Sequence, residues 1–199
     1  MKARLLLSII GLYCMLPVFA GDGNYSQINV RKINGTLESG TKGDGAEYDL
    51  AWDREQLVIS LRVITVDYNN AFGLELGPQT HLGGVGGYRH VTEALDVYGR
   101  VEYGVYNLDS TSAKLAESNL YVLTAGARYR MSNAVELLAY VANYSYTANE
   151  ISSLEVRDQV VLGLRGVLYL DPDSVFGLSV GLEEFDTYRH LSMGITVGF

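Results

Sequence analysis

Apolar and polar residues alternate one by one along most of this chain. The clearest runs are Tyr48-Leu50-Trp52, Leu57-Ile59-Leu61-Val63, Val97-Gly99-Val101-Tyr103-Val105, Tyr121-Leu123-Ala125-Ala127-Tyr129, Leu138-Tyr140-Ala142-Tyr144-Tyr146, Val160-Leu162-Leu164-Gly166-Leu168-Leu170 and Phe176-Leu178-Val180-Leu182. The last residues repeat the pattern, with Leu191, Met193, Ile195, Val197 and Phe199 apolar and His190, Ser192, Gly194, Thr196 and Gly198 small or polar between them. A period of two is the signature of strands with one apolar face. Helical spacing is nowhere sustained.

The pattern predicts ten strands, near 25–36, 46–53, 56–68, 80–91, 96–108, 119–131, 136–147, 158–170, 174–185 and 189–199, with eight as the alternative because the first two are the least regular. Each is about ten residues long, as a tilted membrane-spanning strand requires. The connections also alternate. Short turns at Asp53-Arg54-Glu55, Thr92-Glu93-Ala94, Ser132-Asn133-Ala134 and Asp171-Pro172-Asp173 exchange with polar loops near 38–46, 69–79, 109–118 and 148–157. A gapless echo at a spacing of 40 residues carries Gly86, Thr92, Ala94, Asp96 and Tyr106 onto Gly126, Ser132, Ala134, Glu136 and Tyr146, so the repeating unit is a hairpin. A soluble β-sandwich would alternate too, but with a generously charged outer face. Here the second face carries glycine, serine and threonine with single spaced charges, which suits a narrow lumen.

Composition adds a leader and removes some partners. Residues 1–20, MKARLLLSIIGLYCMLPVFA, place Lys2 and Arg4 before an apolar run that ends in Val18-Phe19-Ala20, the form of a secretory signal. The mature domain is then 21–199, and Cys14, the one cysteine, leaves with the leader. Of 15 basic residues 13 remain against 23 acidic ones, a net charge of −10 that excludes nucleic-acid binding.

Signal, alternating strands, short turns and the terminal ITVGF together resemble the small Gram-negative outer-membrane β-barrels, the class of the OmpA transmembrane domain and the opacity-like proteins. The resemblance implies an antiparallel up-and-down barrel, monomeric, embedded in outer-membrane lipid and lipopolysaccharide. It also implies that Met193, Ile195, Val197 and Phe199 form the signal read by the barrel-insertion machinery. Function within this class ranges over structural or weakly permeable porin-like barrels, adhesins acting through their extracellular loops, and outer-membrane hydrolases.

Facing follows from the alternation. Charge toward lipid at mid-depth costs ~2–4 kcal/mol for Arg, so Arg62, Arg100, Arg128 and Arg165 are expected inside with Asp49, Glu102 and Glu183, joined by Arg31 and Arg89. Arg128 and Arg165 are expected to be held by carboxylates such as Glu102 and Glu183, plugging the lumen. Tyr121, Tyr144 and Tyr146 are expected at the outer interface, and Trp52, Tyr129 and Phe199 at the inner one. His81, His90 and His190 lack metal-ligand spacing, and GGVGG at 83–87 lacks the Lys-Ser/Thr of a phosphate loop, so no metal or cofactor is expected. Glu184, Asp186, His190 and Ser192 are the residues from which a rim hydrolase would have to be built.

Overall fold

A computed structural model describes residues 25–71, 74–110, 114–149, 158–170 and 175–199; the expected leader lies outside them. Ten strands form: β1 Gln27–Leu37, β2 Lys42–Arg54, β3 Leu57–Ala71, β4 Leu74–His90, β5 Leu95–Ser110, β6 Lys114–Arg130, β7 Val135–Asn149, β8 Gln159–Tyr169, β9 Phe176–Glu184 and β10 Tyr188–Gly198. Each pairs antiparallel with its sequence neighbour, and β10 closes the barrel on β1 through the register Gln27↔Gly198 to Leu37↔Tyr188.

Alternation puts Leu57, Ile59 and Leu61 outside and Val58, Ser60 and Arg62 inside. The same division runs round the barrel, so that Leu123, Leu162, Val180 and Met193 stand more than half exposed on its outer surface. Monomeric soluble proteins rarely expose so large a contiguous apolar surface. Trp52 and Tyr129 lie on this face, as does Tyr121, whose ring sits 4.8 Å from that of Tyr103.

Three expectations need correction. The segments read as loops at 38–46, 69–79 and 109–118 are largely strand, because backbone pairing continues past the apolar belt. Beyond Val63, Val105 and Tyr121 the outward residues become Thr65 and Asp67, Asn107 and Asp109, Asn119 and Glu117, while registers such as Gly43↔Tyr68 and Asn107↔Glu117 are kept. The outer face there turns from apolar to polar while the pairing goes on. The 148–157 segment is strand as far as Asn149, and residues 150–157 lie outside the described residues.

The face of β7 is the second correction. Tyr144 and Tyr146 do not stand at the outer interface: Tyr144 is 4 % exposed and both pack in the lumen. Glu136 is buried on the same face, so parity carries Leu138, Tyr140, Ala142, Tyr144 and Tyr146 inward with it. Arg89 is the third. It alternates with the inward Tyr88 and is exposed on the outer face close to the 91–94 turn, where a long cationic side chain can reach the interface.

The 40-residue echo is a repeated turn. Val91 N donates to Leu95 O at 2.8 Å and Met131 N to Val135 O at 2.9 Å, while Thr92 Oγ1 accepts from Ala94 N and Ser132 Oγ from Ala134 N. A hydroxyl at the same place caps both turns, which is why Thr and Ser recur there.

Candidate functional site in the barrel lumen

The seven lumen residues expected from sequence all project inside. Asp49 and Arg62 are buried and Glu102 is fully so, on β2, β3 and β5. Arg62 Nη2 donates to Glu102 Oε2 at 2.8 Å across the intervening β4, and this contact needs Gly84: a Cβ on that residue would collide with Glu102. Arg100 Nε lies 3.2 Å from the same oxygen, and its Nη1 lies 3.8 Å from Asp49 Oδ1. Arg31 joins as expected, donating to Glu47, with Asp49 4.0 Å away. Glu47 is a member that sequence reasoning missed. Its parity with Asp49 on β2 was the available signal.

The expected partners of Arg128 and Arg165 differ from those observed. Arg128 is held by Glu136, with Nε and Nη2 both 2.6 Å from Oε2, and its guanidinium lies 4.4 Å over the Tyr25 ring. Tyr25 stacks at 4.0 Å on Tyr88, whose hydroxyl donates to Asp53 at 2.6 Å, and Asp96 binds His90 beside them. This forms a second cluster, at the end of the barrel that carries Tyr25, Phe199 and the short turns. Arg165 faces the central group, but among the described residues no carboxylate comes within 4 Å of it; Glu47, Asp49 and Glu183 act on it from farther away. Glu183 instead accepts a hydrogen bond from Tyr140 and has His190 Nδ1 at 3.8 Å.

The other half of the lumen is apolar and aromatic. Phe185, from the β9–β10 connection, turns inward, stacks on Tyr188 at 4.0 Å and meets Tyr144 at 5.7 Å. Leu82, Leu120, Val122, Ala142 and Val161 pack beneath these rings, and Ile33, Ile64, Val66 and Tyr68 form a neighbouring cluster. Room for the largest rings is made by glycine. A Cβ on Gly163 would fall within the Tyr140 ring, and one on Gly35 or Gly43 would meet Tyr68. His190 sits below this layer, bonded through Nε2 to the Tyr68 hydroxyl at 3.2 Å.

The rim hydrolase residues do not assemble. His190 and Ser192 are buried inside, with Ser192 Oγ donating to Gly181 O, whereas Glu184 and Asp186 are exposed and Glu184 binds Arg189 at 2.7 Å.

A cavity of about 70 Å³ remains between the charged centre and the Tyr25 end. Its wall includes Asp49, Arg62, Tyr98, Arg100, Thr124 and Arg165.

No protein-family model matches the chain, and no curated protein does either. Among solved structures, the NanC porin aligns with a TM-score of 0.56 and 10 % identity, over 86 % of this chain and 100 % of that one. An outer membrane channel of Pseudomonas putida F1 aligns with a TM-score of 0.54 and 10 % identity, over 92 % and 100 %. The chain shares with them the closed antiparallel barrel.

Proposed function

We propose that this chain is a monomeric β-barrel of a Gram-negative outer membrane, of the OmpA-domain and opacity-like class, whose lumen is closed and whose role is structural or at most weakly permeable. The observation that carries the reading is the filled interior. Across one half, Phe185, Tyr188, Tyr144, Leu120 and Val122 pack as a dry core; across the middle, Arg31, Arg62 and Arg100 pair with Glu47, Asp49 and Glu102. Barrel interiors that conduct are polar and water-filled. The exposed apolar belt, and the fold shared with outer-membrane channels, support placement in lipid beside lipopolysaccharide.

The test is conductance of the purified protein in a planar bilayer. The parent should give no steady current, and Phe185→Ala with Tyr188→Ala should leave it closed, because the charged layer still blocks the path. A steady parental current with a clear ion preference would make the barrel a selective pore.

One observation favours a second reading, attachment to a partner at the cell surface. Strands β3 to β7 run 15 to 17 residues, against 9 to 11 for β1, β8, β9 and β10. About ten residues cross the membrane, so at ~3.3 Å per residue the longer hairpins rise roughly 20 Å beyond the belt. Trimming the β5–β6 hairpin above the Val105↔Asn119 pair should abolish attachment to host cells while leaving the barrel assembled, if this reading holds.

A further inference from the structure

We propose that the cavity beside Arg165 is a binding site for a small monovalent anion, a halide or a carboxylate of one or two carbons. Arg62, Arg100 and Arg165 line it, together with one acidic residue, Asp49. Glu102 makes its direct contacts with Arg62 and Arg100, both through Oε2. Arg165 has no carboxylate within 4 Å among the described residues. A guanidinium taken out of water needs a partner, and the carboxylates around Arg165 make their direct contacts elsewhere: Glu47 with Arg31 and Glu183 with Tyr140.

Unused donors point the same way. Arg62 is 4 % exposed, yet its Nε has no hydrogen-bond partner among the described residues, and the Nε of Arg100 lies near Glu102 without a well-directed bond. Buried polar groups are rarely left so. A ligand in the cavity that accepts from Arg165 and from these nitrogens would satisfy them together.

Charge and size narrow the ligand. Asp49 also lines the site, and its Oδ1 lacks a hydrogen-bond partner among the described residues, so a doubly charged anion meets twice the repulsion that a singly charged one does. The volume of about 70 Å³ has room for a few water molecules, and bromide or formate fits. Tyr25 and Gln27 line the same cavity, whereas the opposite end lies beneath the Phe185 layer, so exchange takes place from the Tyr25 end.

The site is tested on the folded protein in an uncharged detergent, by urea unfolding at constant sodium concentration, with bulky gluconate replaced stepwise by bromide or by formate. Binding to the folded state alone raises the midpoint with ligand concentration. The parent should show this rise, and the bromide and formate series separate a halide site from a carboxylate site. Arg165→Gln should lose the rise. Leu138→Phe, which fills the cavity without altering a charge, should lose it as well, and it gives the answer if Arg165→Gln does not fold. Equal midpoints in all three salts, or an undiminished rise in both variants, would mean that the cavity holds only water and would overturn the proposal. Lumen closure is read separately by conductance, so either reading can fail alone.

Discussion

Arg128 and Arg165 face one lumen in opposite circumstances, and the difference fixes what each substitution should do. Arg128→Leu would strand Glu136, which is 2 % exposed, and breaking a buried pair from one side costs ~3–5 kcal/mol. Arg165→Leu strands no carboxylate in direct contact, so its effect should stay within about 1 kcal/mol, in either direction. Urea unfolding of both variants checks this, with Arg128→Leu/Glu136→Leu expected to recover most of the loss; equal sensitivity at the two sites would refute the assignment of partners. The inward facing of these arginines was legible in the alternation, because charge and apolar residues fall on opposite parities. Their partners were not. Arg128 reaches Glu136 diagonally across the β6–β7 register, in which its direct neighbour is Leu138, and Arg62 reaches Glu102 over a strand bared by Gly84. Such contacts depend on stagger and on a missing side chain in the neighbouring strand, and neither is written in a strand's own pattern.

At the scale of the element, sequence reading located all ten strands and erred where the outer face of a strand turns from apolar to polar. Polar residues beyond the belt looked like loops, although their backbones still pair. On β7 both faces are largely apolar, so hydrophobicity alone chose the wrong one; Glu136 held the parity that settles it. The β2–β3 turn is a further case. Arg54 pairs with Leu57, so the connection is the two residues Glu55 and Gln56, at φ 55° and 72°. A two-residue hairpin turn favours positive φ, which asparagine and glycine accept and these side chains resist. Left-handed backbone costs an ordinary residue ~1–2 kcal/mol, so Gln56→Gly should raise stability by about 1 kcal/mol with unchanged pairing. A fall in the urea midpoint would show that the side chain does more than occupy the turn.

For the whole molecule the decisive step is closure, and the last strand performs it. β10 is paired along its length with β9 on one side and β1 on the other. The final two residues extend both seams, Gly198 N donating to Val175 O at 2.6 Å and Phe199 N to Ser26 O at 3.1 Å. Deleting Phe199 removes one backbone hydrogen bond, worth ~1 kcal/mol, and a half-buried ring worth at most ~3 kcal/mol. The ten strand seams survive that loss. If Met193, Ile195, Val197 and Phe199 are also the pattern that the insertion machinery reads, the same deletion should cut outer-membrane yield severely in cells. Refolding the purified protein into detergent separates the two effects, since no machinery takes part there: the truncated chain should refold with a urea midpoint near that of the parent, while in cells it collects in the periplasm or is degraded. Normal yield in cells would remove the signal role from Phe199, and failure to refold in detergent would make the residue part of closure itself.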